Sequence, residues 1–455
     1  MRPTSSAFLS GAMAACLFAQ SAVAQSAPPK LIVAISVDQY SADLFAQYRA
    51  RYTGGIARLL KGAVFPAGFQ SHAATETCPG HSTLLTGVHP ARTGIIANTW
   101  VDYAAPRDNK YVYCVEDEKA GGEKMVVSAS HLKVPTLGEW MKKQWPQSRN
   151  VAVSVKDRAA VMMSGHDPDG AYWLEGQAFT SYTGKALPVA ITSANELLKA
   201  LFAKGAPAMA VPAWCAPRDR AVQAGAIAVG TGRFTLNEAD KSRKLTDQFR
   251  ASPRGDAVTL EIAAGLVKEM KLGKGTAPDV LSVSLSATDY VGHATGTEGA
   301  EMCIQLTQLD LALGDFFASL DQRGIDYAVV LTADHGGFDL PERLHEQALE
   351  ASVRVSADVA PEALSATLGK RYGLEAKGLI LFDGPSGDYW VRTDVAPGLK
   401  GKIVDDAKAL LEANGQVEVV LTAAEIAATP MPTGSPETWT MAERARASYN
   451  PLHSG

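Results

Sequence analysis

A hydroxyl that is to act as a nucleophile on an anionic ester needs a seat that tolerates negative charge, and the stretch TETCPGHSTLLTG, Thr75 to Gly87, offers one at Thr77. Cys78, Pro79, Gly80 and His81 lead into the apolar pair Leu84 and Leu85, the pattern of a loop turning into a helix. Pro79 falls in the first turn, where its missing N–H leaves no hydrogen bond unmade. Thr77 then stands at a helix N-terminus, where unpaired amides and the macrodipole favour an anion such as a phosphate. Alone, a threonine in that place reads as an N-cap. The other polar residues decide the matter.

Asp38, Asp289, His293, Asp334 and His335 are carboxylate and imidazole donors of the kind that suit zinc. Asp289 and His293 stand at i and i+4, so they share a helical face. His335 by itself reads as a buried, hydrogen-bonded ring. Inside Ala333-Asp334-His335-Gly336-Gly337, where two glycines permit close backbone approach, metal binding is the better reading. Two metals near Thr77 would lower the pKa of its hydroxyl and stabilise the leaving oxygen of an in-line displacement. A transferring phosphoryl group spreads charge over three equatorial oxygens. Asn98, Lys156 and Arg158 are the candidate donors for them, Arg158 as a bidentate clamp and Lys156 as a compact charge.

The elements that must carry these residues are visible as apolar runs. Leu31 to Val37, Asn150 to Val155, Val280 to Ala287 and Tyr327 to Ala333 read as strands, and Glu301 to Leu320 as a helix. Near-continuous apolar strands alternating with helices predict an α/β fold with a mostly parallel sheet covered on both faces. Asp38, Lys156 with Arg158, Asp289, and Asp334 with His335 each follow one of these strands. They would collect at the carboxyl edge of the sheet, where open α/β sheets build their sites.

Composition sets outer limits. With 455 residues, 46% of them hydrophobic and 20% charged, the chain can bury at least one large core. A net charge of -5 gives no electrostatic case for nucleic acid or an anionic membrane. Arg2, the apolar run Ala7 to Ala19, and Ala22-Val23-Ala24 before Gln25 read as a signal peptide over residues 1–24, cleaved after Ala24, so a periplasmic or secreted protein is expected. No other stretch is long and apolar enough to span a bilayer. The cysteines left after cleavage, Cys78, Cys114, Cys215 and Cys303, allow three pairings. Pairing in chain order is the expectation, and Cys78–Cys114 would fasten the loop beside Thr77.

As a set, SVDQY at Asp38, TCPGHSTLLTG, GIIANTW at Asn98, SVKDRAA at Lys156, SATDYVGH at Asp289 and TADHGG at Asp334 resemble the alkaline phosphatase superfamily. The likeness is to its exported bacterial phosphomonoesterase branch with a threonine nucleophile. The resemblance implies a covalent phosphothreonine on Thr77 and two zinc ions. One would be held by Asp38, Asp334, His335 and Thr77; the other by Asp289, His293 and a further histidine. Asn98, Lys156 and Arg158 would hold the phosphate oxygens of a small-molecule monoester. The Lys-x-Arg pair favours this branch over the related nucleotide pyrophosphatases and phosphodiesterases, the alternative activity. In the family the last zinc ligand lies in a C-terminal segment resembling HGSPYxYD. This chain runs to Tyr449-Asn450-Pro451-Leu452-His453-Ser454-Gly455 without one, so the second zinc site is expected to be incomplete, with His453 a weak substitute and an inactive remnant the third reading. The implied organisation is a catalytic core over 25–161 and 278–345, a first insertion over 162–277, and a second insertion with a truncated C-terminal part over 346–455. A monomer is expected.

Overall fold

The computed structural model describes residues 27–120, 124–383 and 387–451. The elements that build and frame the site are β1 (Leu31–Val37), α1 (Thr77–Thr86), β2 (Thr99–Val101), β3 (Tyr111–Tyr113), β4 (Asn150–Ser154), α2 (Asp157–Ser164), β5 (Gly170–Glu175) and β6 (Ala178–Thr180). Further along the chain come α3 (Val189–Lys204), α4 (Pro253–Glu269), β7 (Asp279–Leu285), α5 (Ala287–Thr295), α6 (Ala300–Gln322) and β8 (Tyr327–Thr332). The six-stranded sheet runs β8-β1-β7-β4-β5-β6. All its pairs are parallel except the last, β5 with β6. The four apolar runs of the sequence are the first four strands of that order, and the expected helix is α6.

Strand alternation explains why the sheet is buried on both faces. Val33, Ile35, Val151, Val153, Leu281 and Val283 point to one side and pack with Leu198 of α3, Leu260 and Leu266 of α4, and Leu309 and Leu313 of α6. On the other side Ala152, Ala171 and Trp173 meet Ala160 and Val161 of α2 and Trp100 and Val112 of the β2–β3 hairpin. Fully burying one such leucine or valine contributes about 1.5–3 kcal/mol, so the two layers together dominate the stability of the sheet. Trp100 and Trp173 are core residues. Trp214 packs edge-on against Tyr48.

The stretch 162–277 does more than elaborate the site. It supplies β5 and β6 to the sheet and α3 and α4 to its covering layer. The six-residue strand GAYWLE is buried over its first five residues. Beyond residue 346, α7 (Pro361–Tyr372), β9 (Ile380–Asp383), β10 (Asp388–Val391) and α8 (Pro397–Glu412) gather a small core of their own around Leu368, Leu379, Val391 and Ile403. Tyr103 Oη ties this unit to the main body by donating to Val391 O at 2.8 Å. The final helix α9 (Met441–Ser448) accepts Ala73 N on Ser448 Oγ at 2.8 Å. Disulfides join Cys78 to Cys114 and Cys215 to Cys303, the chain-order pairing. The leader region and His453 lie outside the described residues. Among the described residues no helix is long and apolar enough to cross a membrane.

Candidate active site

Register brings the polar residues level with one another. Ser36 pairs with Ser284 on one side and Thr332 on the other, and Ser284 pairs with Ser154. Two residues further along each strand are Asp38, Ser286, Asp334 and Lys156, so all four leave the sheet edge at the same height. α1 enters over that edge. Its N-cap residue is Glu76, and the buried Thr77 is the first helical residue, so the hydroxyl is not spent on a cap. Glu76 accepts Asn98 N at 2.6 Å, while Asn98 Oδ1 accepts Cys78 N at 2.8 Å. With Oδ1 committed, the Nδ2 donors of Asn98 are what remain for a ligand oxygen. The Cys78–Cys114 bridge and the Cys114 N to Asn98 O bond of 2.9 Å lock the same corner.

The acids converge from three adjacent strands. Asp38, Asp289 and His335 each offer one donor atom to a group whose members all lie within 4.8 Å of one another, as do Asp38, His81 and Asp334. Asp38 Oδ1 and Asp334 Oδ2 are buried with only imidazole nitrogens beside them, His335 Nε2 at 3.3 Å and His81 Nδ1 at 3.1 Å, neither in hydrogen-bonding geometry. Such oxygens are costly unless a cation takes them. His335 Nδ1 lies 2.8 Å from Gly336 O, to which it donates, so Nε2, 3.3 Å from Asp38 Oδ1, is the ring nitrogen that faces the acids. Buried hard oxygens with an oriented imidazole fit a divalent metal cation. Burial favours the neutral ring, but Asp334 and Asp38 push His335 up to about 10. Burial likewise opposes the charge on Asp334, yet His335, His81 and Lys156 hold it well below the usual carboxylate range.

Lys156 links the acid side to Thr77. Its fully buried ammonium lies 2.6 Å from both Asp38 Oδ2 and Asp289 Oδ2 and 3.2 Å from Thr77 Oγ1. Despite burial, the two carboxylates hold its pKa above that of an ordinary lysine. Arg158 Nη2 is 3.4 Å from Thr77 Oγ1, and its Nη1 donates to Tyr113 Oη at 3.3 Å. Tyr113 in turn donates to Asp157 Oδ1 at 2.7 Å. The hydroxyl of Thr77 is thus flanked by two cations, with the acid cluster immediately beyond them.

Of the residues expected from sequence, Asp38, Thr77, Asn98, Lys156, Arg158, Asp289, Asp334 and His335 come together. His293 is less engaged: Nε2 lies 3.1 Å from Asp289 Oδ1, but the side chain is 69% exposed and stands outside both donor groups. Sequence reasoning passed over four contributors. His81, one turn after Thr77, uses Nδ1 on Thr77 O at 2.8 Å and Nε2 on Ser284 Oγ at 2.9 Å, so it braces the helix start against β7. Its i+4 spacing from Thr77 was the available signal. Glu76 and Tyr113 orient Asn98 and Arg158, and Gln39 bonds two of the carboxylates.

A family model described as type I phosphodiesterase / nucleotide pyrophosphatase matches residues 32–440. Alkaline phosphatase PhoK of Sphingomonas sp is 51% identical over 433 residues, which cover 94% of this chain and 77% of that protein. Alkaline phosphatase PhoD of Zymomonas mobilis is 46% identical over 433 residues, covering 94% and 74%. Among solved structures, wild type alkaline phosphatase PafA has the same α/β fold, with a TM-score of 0.80 at 26% identity over 94% of this chain and 84% of that one.

Proposed function

The chain belongs to the type I phosphodiesterase / nucleotide pyrophosphatase family, and from that premise we propose that it is an exported, zinc-dependent alkaline phosphatase that hydrolyses phosphate monoesters through a phosphothreonine on Thr77. The observation that carries this reading is the placement of Thr77 Oγ1 at a helix start with Lys156 Nζ at 3.2 Å and Arg158 Nη2 at 3.4 Å. Two fixed cations beside the nucleophile match the two charges of a monoester better than the single charge of a diester.

In this reading Arg158, Lys156 and the Asn98 amide grip the non-bridging oxygens and turn the phosphorus toward Thr77. Thr77 Oγ1 attacks in line and gives up its proton to solvent, the bond to the leaving oxygen breaks, and that oxygen takes a proton from solvent to depart as the alcohol. A water oxygen then attacks the phosphorus, the bond to Thr77 breaks, a proton lost by the water restores the Thr77 hydroxyl, and inorganic phosphate leaves. Asp38, Asp334, His335 and Thr77 would hold one zinc and Asp289 with His293 the other, and these ions would supply the Lewis acidity that makes the hydroxyl nucleophilic and stabilises the leaving oxygen. His81 and the Cys78–Cys114 bridge keep Thr77 at its station throughout.

Hydrolysis of 4-nitrophenyl phosphate against its bis-ester tests the assignment. Preference for the monoester, lost with Thr77→Ala, is expected. Preference for the diester would instead select the second reading, a phosphodiesterase, which the name of the matching family model favours. Metal analysis of the purified protein should find zinc, and N-terminal sequencing of exported protein should begin at Gln25. Size-exclusion chromatography should report a monomer.

A further inference from the structure

Gln39 follows the first acid of the site and carries none of the chemistry assigned above. Its backbone φ is +63°, one of four non-glycine residues with positive φ among the described residues. For a residue other than glycine this conformation is disfavoured, and it persists where the surroundings over-determine it. Here they do. The buried side chain reaches from the turn after β1 to α5, where Nε2 donates to Asp289 Oδ1 at 3.1 Å. Its backbone N–H donates in the other direction, to Asp334 Oδ1 at 3.1 Å. Left-handed φ lets one residue face its amide to the β8 side and its side chain to the β7 side.

Two glycines make room for it. A Cβ on Gly292, in α5, would lie 1.9 Å from Gln39 Oε1, and a Cβ on Gly337 would lie 2.7 Å from Gln39 Cγ and Cδ. The side chain is therefore enclosed between the helix that carries Asp289 and the loop that carries Asp334 and His335. A neutral amide suits the position. It donates to carboxylates already crowded with negative charge and adds none.

We propose that Gln39 is a positioning residue that spans the two ligand sets and fixes Asp289 relative to Asp38 and Asp334, so that affinity for divalent metal depends on its side-chain amide. The inference rests on the metal reading given under Proposed function. Ligand-orienting partners of this kind change metal affinity by about 10–100-fold when removed.

The test is titration of the chelator-stripped full chain with Zn2+, by calorimetry and by competition with a chromophoric chelator. Gln39→Met keeps the volume and removes the amide, and Gln39→Gly suits the left-handed backbone should the methionine variant fail to fold. Each is expected to weaken zinc binding at one site by about 10–100-fold. Gly292→Ala, whose methyl would displace the amide, is expected to reproduce that loss. Combined with Gln39→Gly it should add nothing, because the group it strikes is gone. A merely structural role would lower the thermal midpoint in chelator and leave zinc affinity alone. Wild-type affinity in Gln39→Met or Gln39→Gly, or full additivity in the double variant, overturns the inference while the metal reading stands. A wild-type chain that takes up no zinc overturns both.

Discussion

Lys156→Met separates the two partners of the lysine, the acids and the Thr77 hydroxyl, by asking what happens when no metal is present. The ammonium is completely buried and sits 2.6 Å from one oxygen of Asp38 and one of Asp289. Methionine preserves most of the volume, so the change is chiefly electrostatic: two buried carboxylates lose their shared cation. Removing one partner of a buried ion pair costs about 3–5 kcal/mol, because the remaining charge is left uncompensated. Unfolding entropy of about 2.1 cal/mol/K per residue gives roughly 1 kcal/mol/K for a chain of 455 residues. The expected drop in thermal midpoint in excess chelator is therefore about 3–5 °C. In zinc the same substitution should cost much less stability, since a bound dication neutralises the same oxygens, while monoester turnover still falls for want of the Lys156 charge beside Thr77. Differential scanning calorimetry of both proteins, with chelator and with zinc, checks this. A variant that melts with wild type in chelator would refute the counter-ion role, leaving Lys156 to the substrate alone.

Three further outcomes follow from the geometry. Asp256 is fully buried, accepts Ala287 N at 3.0 Å and Gln305 Nε2 at 2.7 Å, and is pushed up to about 7 by burial. Its folded pKa lies above the ordinary carboxylate value, so its contribution is complete below about pH 4 and is lost as pH rises through 7, a change of roughly 4 kcal/mol. Asp256→Asn should flatten the stability profile across that window, measured by denaturation at stepped pH. Tyr113→Phe frees Arg158 from its hydroxyl partner and should lower kcat/KM for monoesters about tenfold, or about 1.4 kcal/mol, in steady-state assays. Replacing Cys78 and Cys114 together by serine opens a loop with a sequence separation of 36 and should cost about 3–4 kcal/mol of stability with a fall in turnover, read from thermal midpoint and activity.

The parts of this site legible in the sequence are those whose chemistry is unusual where they stand. Asp38, Lys156, Asp289, Asp334 and His335 are charged or ionisable residues directly after apolar strands, and the period of those strands fixed their common edge. Gln39, Glu76 and Tyr113 escaped because neutral amides, caps and phenols are ordinary in loops, and only the fold reveals which carboxylate or guanidinium they hold. β5 escaped because six residues between turns carry too little periodicity to separate strand from loop. Asp256 sits in α4, far along the chain from α5, whose first amide it accepts. No local pattern encodes a cap supplied from another element.

The order of strands also explains why one hydroxyl can meet the acid cluster and the two cations together. Neighbouring strands in a sheet lie about 4.8 Å apart. From β8 through β1 to β7 the edge presents Asp334, Asp38 and Asp289, and the next strand, β4, presents Lys156 and then Arg158 at the start of α2. Charge therefore changes sign across a single strand spacing, between β7 and β4. Thr77 is delivered over that boundary by α1, which packs against α2 and is braced to Ser284 of β7 through His81. A hydroxyl placed nearer β8 would lie beyond reach of Arg158, and one placed nearer β5 would lie beyond reach of the acids. Lys156 crosses the boundary because a lysine stem is long enough to span one strand, which is how it touches Asp38, Asp289 and Thr77 together. Moving the cations one strand further, to β5, would keep every residue type and abolish the arrangement.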